Sequence, residues 1–548
     1  MSLVQSPPSP APSDAFGNNF AGMSIATSGP GLATERISEP PQFERRMGDS
    51  ELSYYLPSRT NGVNDMYLHL GFDAPEHMIQ CARVRVVWAI LRIRHPLLAS
   101  KVIMHDYDDV RFVFTPPQSP EDALINADYN LEYKLASKDE LIDNYLNGPR
   151  TLSNDRLSYL VVVQRGSLLP SPPLTPPPSP ILSESYKPEV SLQNHDLLIC
   201  AAHFLGDGMA LHQFASDFFG LLGSEKTQGD LELQLSEEWR SRWASVPVGM
   251  SAFPITLEDS LGEEPSRFRR AVGKVDFTRI QAQMIGGQMF PRGSKQSRHT
   301  IVPTISYDVE RTKIILKHCK LHGVSVSAAL FAVCNIAWAR MSKDKPHLPT
   351  MMYSALNLRP CFTTKGPIDS YWFLAVGYFN VILPNFIPQS SNISSIFWHR
   401  AQIAKEQSIR AAKSPMIRTR SRLMAEERGR RARAWAKEDD DRERGIHEPR
   451  PSPSPPNATP PAPSAALIGL SLLGNLDGIY KHGSFPDVKL HTLTTGSRQR
   501  SGGMLLFGYT FAGKLWISLG YDENGFEKKV VEQFWGNVLQ TTEELLVN

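Results

Sequence analysis

Residues 197–222, LLICAAHFLGDGMALHQFASDFFGLL, join a short apolar run to an amphipathic one through His203 and a Gly-Asp-Gly turn. LLICAA has the length and uniform apolarity of a strand buried on both faces. In the second part, Met209, Phe214, Phe218 and Leu221 recur at helical spacing. A buried strand feeding a helix that must hide one face calls for a layered α+β arrangement, sheet against helix. His203 falls on the strand-to-helix turn, where the backbone is held from both sides and the side chain can point into a cleft. Gly206 and Gly208 permit tight turning and close approach of a ligand to the main chain. Asp207 is placed to cap the helix or to accept a charge-assisted bond from an arginine.

The rest of the chain repeats this alternation. The segment 78–94, MIQCARVRVVWAILRIR, has helical periodicity, and VRFVFTP (110–116) and LSYLVVVQ (157–164) read as strands. Further on, residues 309–323 predict a helix stopped by Gly323, and Ser325 or Ser327 caps the uniformly apolar helix 327–341. MMYSALNLRP (351–360) and WFLAVGYFNVILP (372–384) are strand-like. Residues 504–522 predict a hairpin around Phe-Ala-Gly-Lys, and 525–546 a closing helix. With 548 residues, 41% of them hydrophobic, the chain exceeds a single core and predicts two α+β sandwich halves with mixed sheets. The boundaries are 45–285 and 286–548, after a disordered Pro/Ser-rich segment 1–44. A Pro-rich insert at 168–180 and a charged, Pro-rich insert at about 410–466 interrupt the halves. Between 396 and 436 the density of Arg, Lys, Glu and Ala predicts one long, largely solvated helix.

Composition excludes several functions. A formal net charge of +2 gives no reason to expect nucleic acid as partner. Five cysteines lie far apart without a CxxC pair, which predicts reduced, mostly buried thiols. His195, His212 and His299 lack carboxylates or cysteines at ligand spacing, so no metal is expected. No signal sequence and no membrane-spanning run is evident, which predicts a cytoplasmic protein.

HFLGDG at 203–208 resembles the HxxxDG motif of the CoA-dependent acyltransferases related to chloramphenicol acetyltransferase. That superfamily includes the BAHD enzymes, fungal O-acetyltransferases and the condensation domains of peptide synthetases. RIRHPLLASKVI (92–103), the helix VSVSAALFAVCNIAWA, SALNLRP (354–360) and the closing LGYDENGFEKKVVEQFWGNVLQ follow in the same order. Two departures narrow the likeness: Ala202 stands where condensation domains carry a first histidine, and no DFGWG follows near the C-terminus. The stand-alone fungal O-acyltransferases, such as trichothecene O-acetyltransferase, are the nearest branch on this reading.

The resemblance implies a tunnel between the two halves, a monomer, and acyl-CoA, chiefly acetyl-CoA, as a co-substrate without any bound cofactor. It implies His203 as general base for esterifying a hydroxyl on a hydrophobic secondary metabolite such as a terpenoid, with direct transfer and no acyl-enzyme. It also implies that Asp207 turns away from the cleft to pair with Arg94. Gly208 N–H, Asn357 and Ser354 are the candidates for oxyanion stabilisation, and Asn357 reads equally well as a strand-end turn residue. The alternatives are an N-acylating or carrier-protein-dependent enzyme, or a non-catalytic relative that binds a ligand or partner.

Overall fold

The structure is a computed structural model that describes residues 41–164, 192–245, 249–283, 285–293, 297–342, 345–389, 392–446 and 465–548. The expected disorder of 1–40, the insert 168–180 and the Pro-rich stretch 447–464 lie outside these residues.

Two mixed sheets carry the architecture, which is α+β as the alternation predicts. The first has five strands in the order Lys489–Ser497, Met66–Pro75, Leu192–Ala201, Ser158–Gln164 and Leu131–Lys134. Its second and third strands are the long pair that carries the motif: Met66 lies opposite Ala201 and Leu70 opposite Leu197. The second sheet runs Val376–Leu383, Thr350–Asn357, Ile468–Asn475, Met504–Phe511 and Lys514–Asp522, with the short strands Thr300–Ile301 and Thr304–Tyr307 along Lys514–Asp522. Thr350–Asn357, Ile468–Asn475 and Met504–Phe511 pair in parallel. A small third sheet includes Phe43–Arg46, paired antiparallel to Val110–Phe114. This strand starts inside the segment expected to be disordered, because Phe43 packs on Phe114 and Trp243.

The sheets do not divide at a single point of the chain. Lys489–Ser497, from the C-terminal part, forms the edge of the first sheet against Met66–Pro75. One apolar core surrounds that sheet and the helices Cys81–Arg94 and Gly208–Leu222. A second lies between the other sheet and the helices Val326–Met341 and Lys528–Thr542. Val326–Met341 is the buried helix that the sequence predicts. The Ser325 hydroxyl accepts from Ala328 N–H, and Gly323 closes the preceding helix at φ 62°. The expected hairpin is present, with Ala512 (φ 52°) and Gly513 (φ 69°) in its turn. The Asp477 carboxylate accepts both turn N–H groups at 2.8 and 3.0 Å.

The charged stretch departs from expectation. It breaks at Lys413–Met416 into the helices Ile393–Ala412 and Ile417–Glu443. The first buries Phe397, Trp398, Ala401 and Ala404 in the second core. The second lies along helix Asp49–Ser58, burying Ala425, Gly429, Ala432 and Ala436. Small residues at i, i+4, i+7 and i+11 let the two backbones approach closely: a Cβ on Gly429 would sit 2.4 Å from Asp49 Oδ1. Arg433 pairs with Asp49 at 2.8 Å, the Tyr107 hydroxyl donates to Asp440 at 2.7 Å, and Arg59 pairs with Asp440. A stripe of alanine and glycine carries almost no hydrophobic periodicity, so the packed face was invisible among the charges.

Candidate active site

Strand Leu192–Ala201 ends one residue before the short turn His203–Leu205, and helix Gly208–Leu222 begins three residues later. His203 Nδ1 lies 3.1 Å from the Gly206 carbonyl oxygen. A carbonyl only accepts, so Nδ1 carries the proton and the neutral ring presents Nε2 as a base. Burial holds its pKa below the ordinary imidazole value, outweighing the carboxylate of Asp207, and Arg428 pushes the same way. His203 is therefore unprotonated at neutral pH.

Asp207 holds the turn. Its Oδ1 accepts Met209 and Ala210 N–H at 3.1 and 3.2 Å, which caps the helix, and its Oδ2 accepts Ala375 N–H at 2.9 Å. Arg359 Nη1 donates to both oxygens, at 3.0 and 2.9 Å. Arg359 in turn reaches the Phe373 carbonyl at 3.1 Å and lies over the Phe373 ring. Asp207 thus ties the motif turn to the second sheet.

The arginine implied by the resemblance, Arg94, is not this partner. It ends helix Cys81–Arg94 and faces helix Gln228–Arg242, where its Nε donates to Glu238 at 2.7 Å and its Nη2 to the other oxygen of the same carboxylate. The direction of the helix end decides this, and local sequence does not encode it. Arg359 sits in SALNLRP, a segment singled out by the resemblance, but nothing in its spacing marked it as the anchor.

The oxyanion candidates differ in what their side chains contact. The Ser354 hydroxyl donates to the Leu470 carbonyl at 2.9 Å, because Ser354 and Leu470 are register partners on parallel strands. That donor is spent on the sheet. Asn357 is exposed, and its side-chain oxygen accepts Arg359 N–H at 3.1 Å, the strand-end turn role. Gly208 N–H, at the start of the motif helix, has no partner among the described residues. Gly206 is extended (φ −178°) and so is not chosen for turning. It is needed because a Cβ there would lie 2.9 Å from the ring of Trp372, which is fully buried.

Three residues that sequence reasoning missed complete the site. Tyr54, on helix Asp49–Ser58, stacks on His203 with ring centroids 4.2 Å apart and 25° between planes. Its hydroxyl hydrogen-bonds that of Tyr378, on strand Val376–Leu383. Arg428, on helix Ile417–Glu443, lies over both rings, 4.9 Å from the centroid of Tyr54 and 4.7 Å from that of Tyr378. Burial and the neighbouring Tyr378 keep the Tyr54 phenol protonated.

A cavity of about 480 Å³ opens beside the buried helix Val326–Met341, and none of residues 203–208 lines it. Ser325, Val326 and Ser327 at the start of the buried helix, Lys320, and Gly474 and Asn475 of strand Ile468–Asn475 are among its walls. Leu473, next to Gly474, packs towards Gly208 with its Cδ2 3.2 Å from where a Cβ would stand.

Of the other histidines, His212 is a core residue hydrogen-bonded to the Tyr480 hydroxyl at 2.9 Å, and His195 is buried on the motif strand. His299 is half-exposed beside Glu523. Among the described residues no cluster of three His, Cys, Asp or Glu side chains is arranged to hold a metal ion. Cys200, Cys319 and Cys334 are buried, and none of the five cysteines forms a disulfide. No single helix among the described residues is long and apolar enough to cross a membrane.

No protein-family model matches the sequence, and no curated protein matches it. Solved structures do match. Trichothecene 15-O-acetyltransferase from Fusarium sporotrichioides superposes with a TM-score of 0.67 at 12% identity, covering 91% of this chain and 94% of that one. The first condensation domain of the CDA synthetase gives 0.55 at 12% identity, over 92% and 97% of the two chains. The epimerization domain from the third module of tyrocidine synthetase B gives 0.53 at 12% identity, over 93% and 100%. With its two mixed sheets and its histidine on the turn from a strand of the first sheet into the following helix, the chain has the chloramphenicol acetyltransferase-like fold that these acetyltransferase and condensation-domain structures share.

Proposed function

We propose that this chain is an acyl-CoA-dependent O-acyltransferase, with His203 as general base and a hydroxyl on a hydrophobic small molecule as acceptor. The observation that carries the reading is the state of His203: neutral, its Nδ1 proton engaged by Gly206, its Nε2 left to take a proton, on a turn pinned by Asp207 and Arg359. An alcohol attacks a thioester slowly unless a positioned base removes its proton. His203 Nε2 takes the hydroxyl proton as the oxygen bonds to the thioester carbonyl carbon. The tetrahedral intermediate collapses with cleavage of the C–S bond, and Nε2 returns the proton to the departing thiolate. Ester and free thiol result, with no acyl-enzyme. The backbone N–H of Gly208 is the oxyanion donor this reading favours, since the Ser354 hydroxyl is spent on the sheet and Asn357 is an exposed strand-end residue whose oxygen is held by Arg359.

The cavity beside the buried helix suits the donor arm. Its volume is in the range of cofactor sites, and Lys320 and the N-terminal end of a helix at its wall favour phosphate. Lys320→Glu is expected to raise KM for acyl-CoA about fivefold, roughly 1 kcal/mol, with kcat unchanged. Initial-rate kinetics with varied donor check this, and an unchanged KM removes the cavity from the donor path. The likeness to trichothecene 15-O-acetyltransferase supports an acetyl donor and a terpenoid acceptor only as analogy of fold.

The test is incubation of the purified protein with a panel of acyl-CoAs and hydroxylated terpenoids, beside His203→Ala. Free thiol and a new ester that both vanish in the variant support the reading. Turnover that survives the substitution overturns it. Turnover only from carrier-bound donors favours the condensation-type alternative.

A further inference from the structure

On the charged helix Ile417–Glu443, Arg418 and Arg428 have no carboxylate partner among the described residues, and Arg428 is the one brought to the site. Arg420, Arg422, Arg430, Arg431, Arg433 and Arg442 each pair with a carboxylate. Arg428 pairs with none among the described residues. It is half-buried; its guanidinium lies over the rings of Tyr54 and Tyr378 and hydrogen-bonds their hydroxyls. Two protonated phenols hold a guanidinium by ring face and hydroxyl but bring no negative charge, so they do not replace a carboxylate as counter-ion. Among the described residues no carboxylate forms an ion pair with it, and Asp207, the acidic group next to His203, is tied to Arg359. A positive charge is thus held, uncompensated, two ring contacts from the catalytic imidazole.

We propose that Arg428, with the Tyr54 and Tyr378 hydroxyls, forms an oxyanion-binding subsite for a carboxylate on the acceptor, so that the substrate class is hydroxy acids. This rests on the acyltransferase reading of His203. Arginine offers a planar fork of donors that matches a carboxylate, and of the two tyrosine hydroxyls, which hydrogen-bond each other, the one that accepts within the pair keeps its proton to donate. The phosphates of acyl-CoA are a second source of oxyanion, but the arm between them and the thioester is longer than the gap between Arg428 and His203. A donor whose thioester lies at Nε2 places its phosphates elsewhere. The hydroxyl and the carboxylate of the acceptor are then separated by about one aromatic ring, the width of Tyr54.

The probes are para-hydroxyphenylpropionate and omega-hydroxydecanoate, each beside its methyl ester, with the full-length protein. Binding is measured by calorimetry and turnover by thiol release. Each acid is expected to bind at least tenfold more tightly than its ester. Arg428→Gln is expected to abolish that preference and Arg428→Lys to restore part of it, with circular dichroism confirming that both variants fold. Equal binding of acid and ester, no binding of either acid, or a preference that persists in Arg428→Gln overturns the subsite. Esters turned over in a His203-dependent way with no acid preference sink the subsite and spare the acyltransferase. Acid-selective binding lost in Arg428→Gln, with no His203-dependent turnover of any acceptor, keeps the subsite and sinks the acyltransferase. Inhibition by the acids that is competitive with acyl-CoA alone assigns Arg428 to the donor and overturns the proposal.

Discussion

Arg359→Ala is expected to destabilise the protein by about 3 kcal/mol and to cost at least about a hundredfold in kcat, although Arg359 does not touch the reacting atoms. Removing the guanidinium leaves Asp207, which is 3% exposed, as a buried carboxylate with three backbone N–H groups and no counter-charge. Breaking one side of a buried pair costs about 3–5 kcal/mol; the lower end applies because the Arg359 side chain keeps 22% exposure. The kinetic loss follows from geometry. The same turn carries Gly206, whose carbonyl fixes the His203 tautomer, so a loosened Asp207 displaces the imidazole. Arg94→Ala is the control: its pair with Glu238 joins two helices at the edge of the first core, and its loss should cost about 1 kcal/mol with kcat near wild type. Denaturant melts and steady-state kinetics on the two variants decide. If Arg94→Ala is the inactive one, the anchor has been assigned to the wrong arginine.

The second large effect is acid lability. Burial lowers the pKa values of His69, His195 and His203, and pushes those of His95 and His212 down to about 3. In the unfolded chain each titrates near 6.5. Between pH 6.5 and 3 the unfolded state therefore binds protons that the native state refuses. Stability is fully present above pH 6.5 and falls as pH drops through that window. At pH 5, His95 and His212 together are expected to account for roughly 4 kcal/mol of loss relative to pH 7.5, about 2 kcal/mol each. Asp65 and Glu258, whose carboxyls burial pushes upward, oppose this, but only nearer the carboxylate range. Urea midpoints at pH 7.5 and 5.0 measure the effect. His212→Gln, which keeps a polar group towards Tyr480, should flatten the pH dependence by about 1.4 kcal/mol per pH unit. Equal midpoints at the two pH values would show that these imidazoles titrate freely.

Much of the framework is local information and was therefore legible. The strand–turn–helix around His203, the Ser325 cap, the Gly323 stop and the hairpin at Ala512–Gly513 all follow from periodicity and turn chemistry within a dozen residues or so. So does the candidate base, because an imidazole at the end of a buried strand is conspicuous in one dimension. The partner of Asp207 was not legible. Arg94 and Arg359 are both arginines near a helix or strand end, and only the tertiary arrangement puts Arg359, 152 positions away, against the carboxylate.

The same holds for Ser354 and Asn357, whose donor and acceptor groups are claimed by a strand neighbour and by a turn. It holds more strongly for Tyr54 and Arg428. Helix Asp49–Ser58 and helix Ile417–Glu443 meet through alanine, glycine and paired charges, a surface that a hydrophobicity pattern reads as solvent. The sequence by itself determined the candidate histidine, its turn and the layered α+β class, because those depend on neighbours in the chain. Which charge balances Asp207, and which remains unbalanced beside His203, depended on distances between segments 152 or more residues apart, and only the tertiary structure decided them.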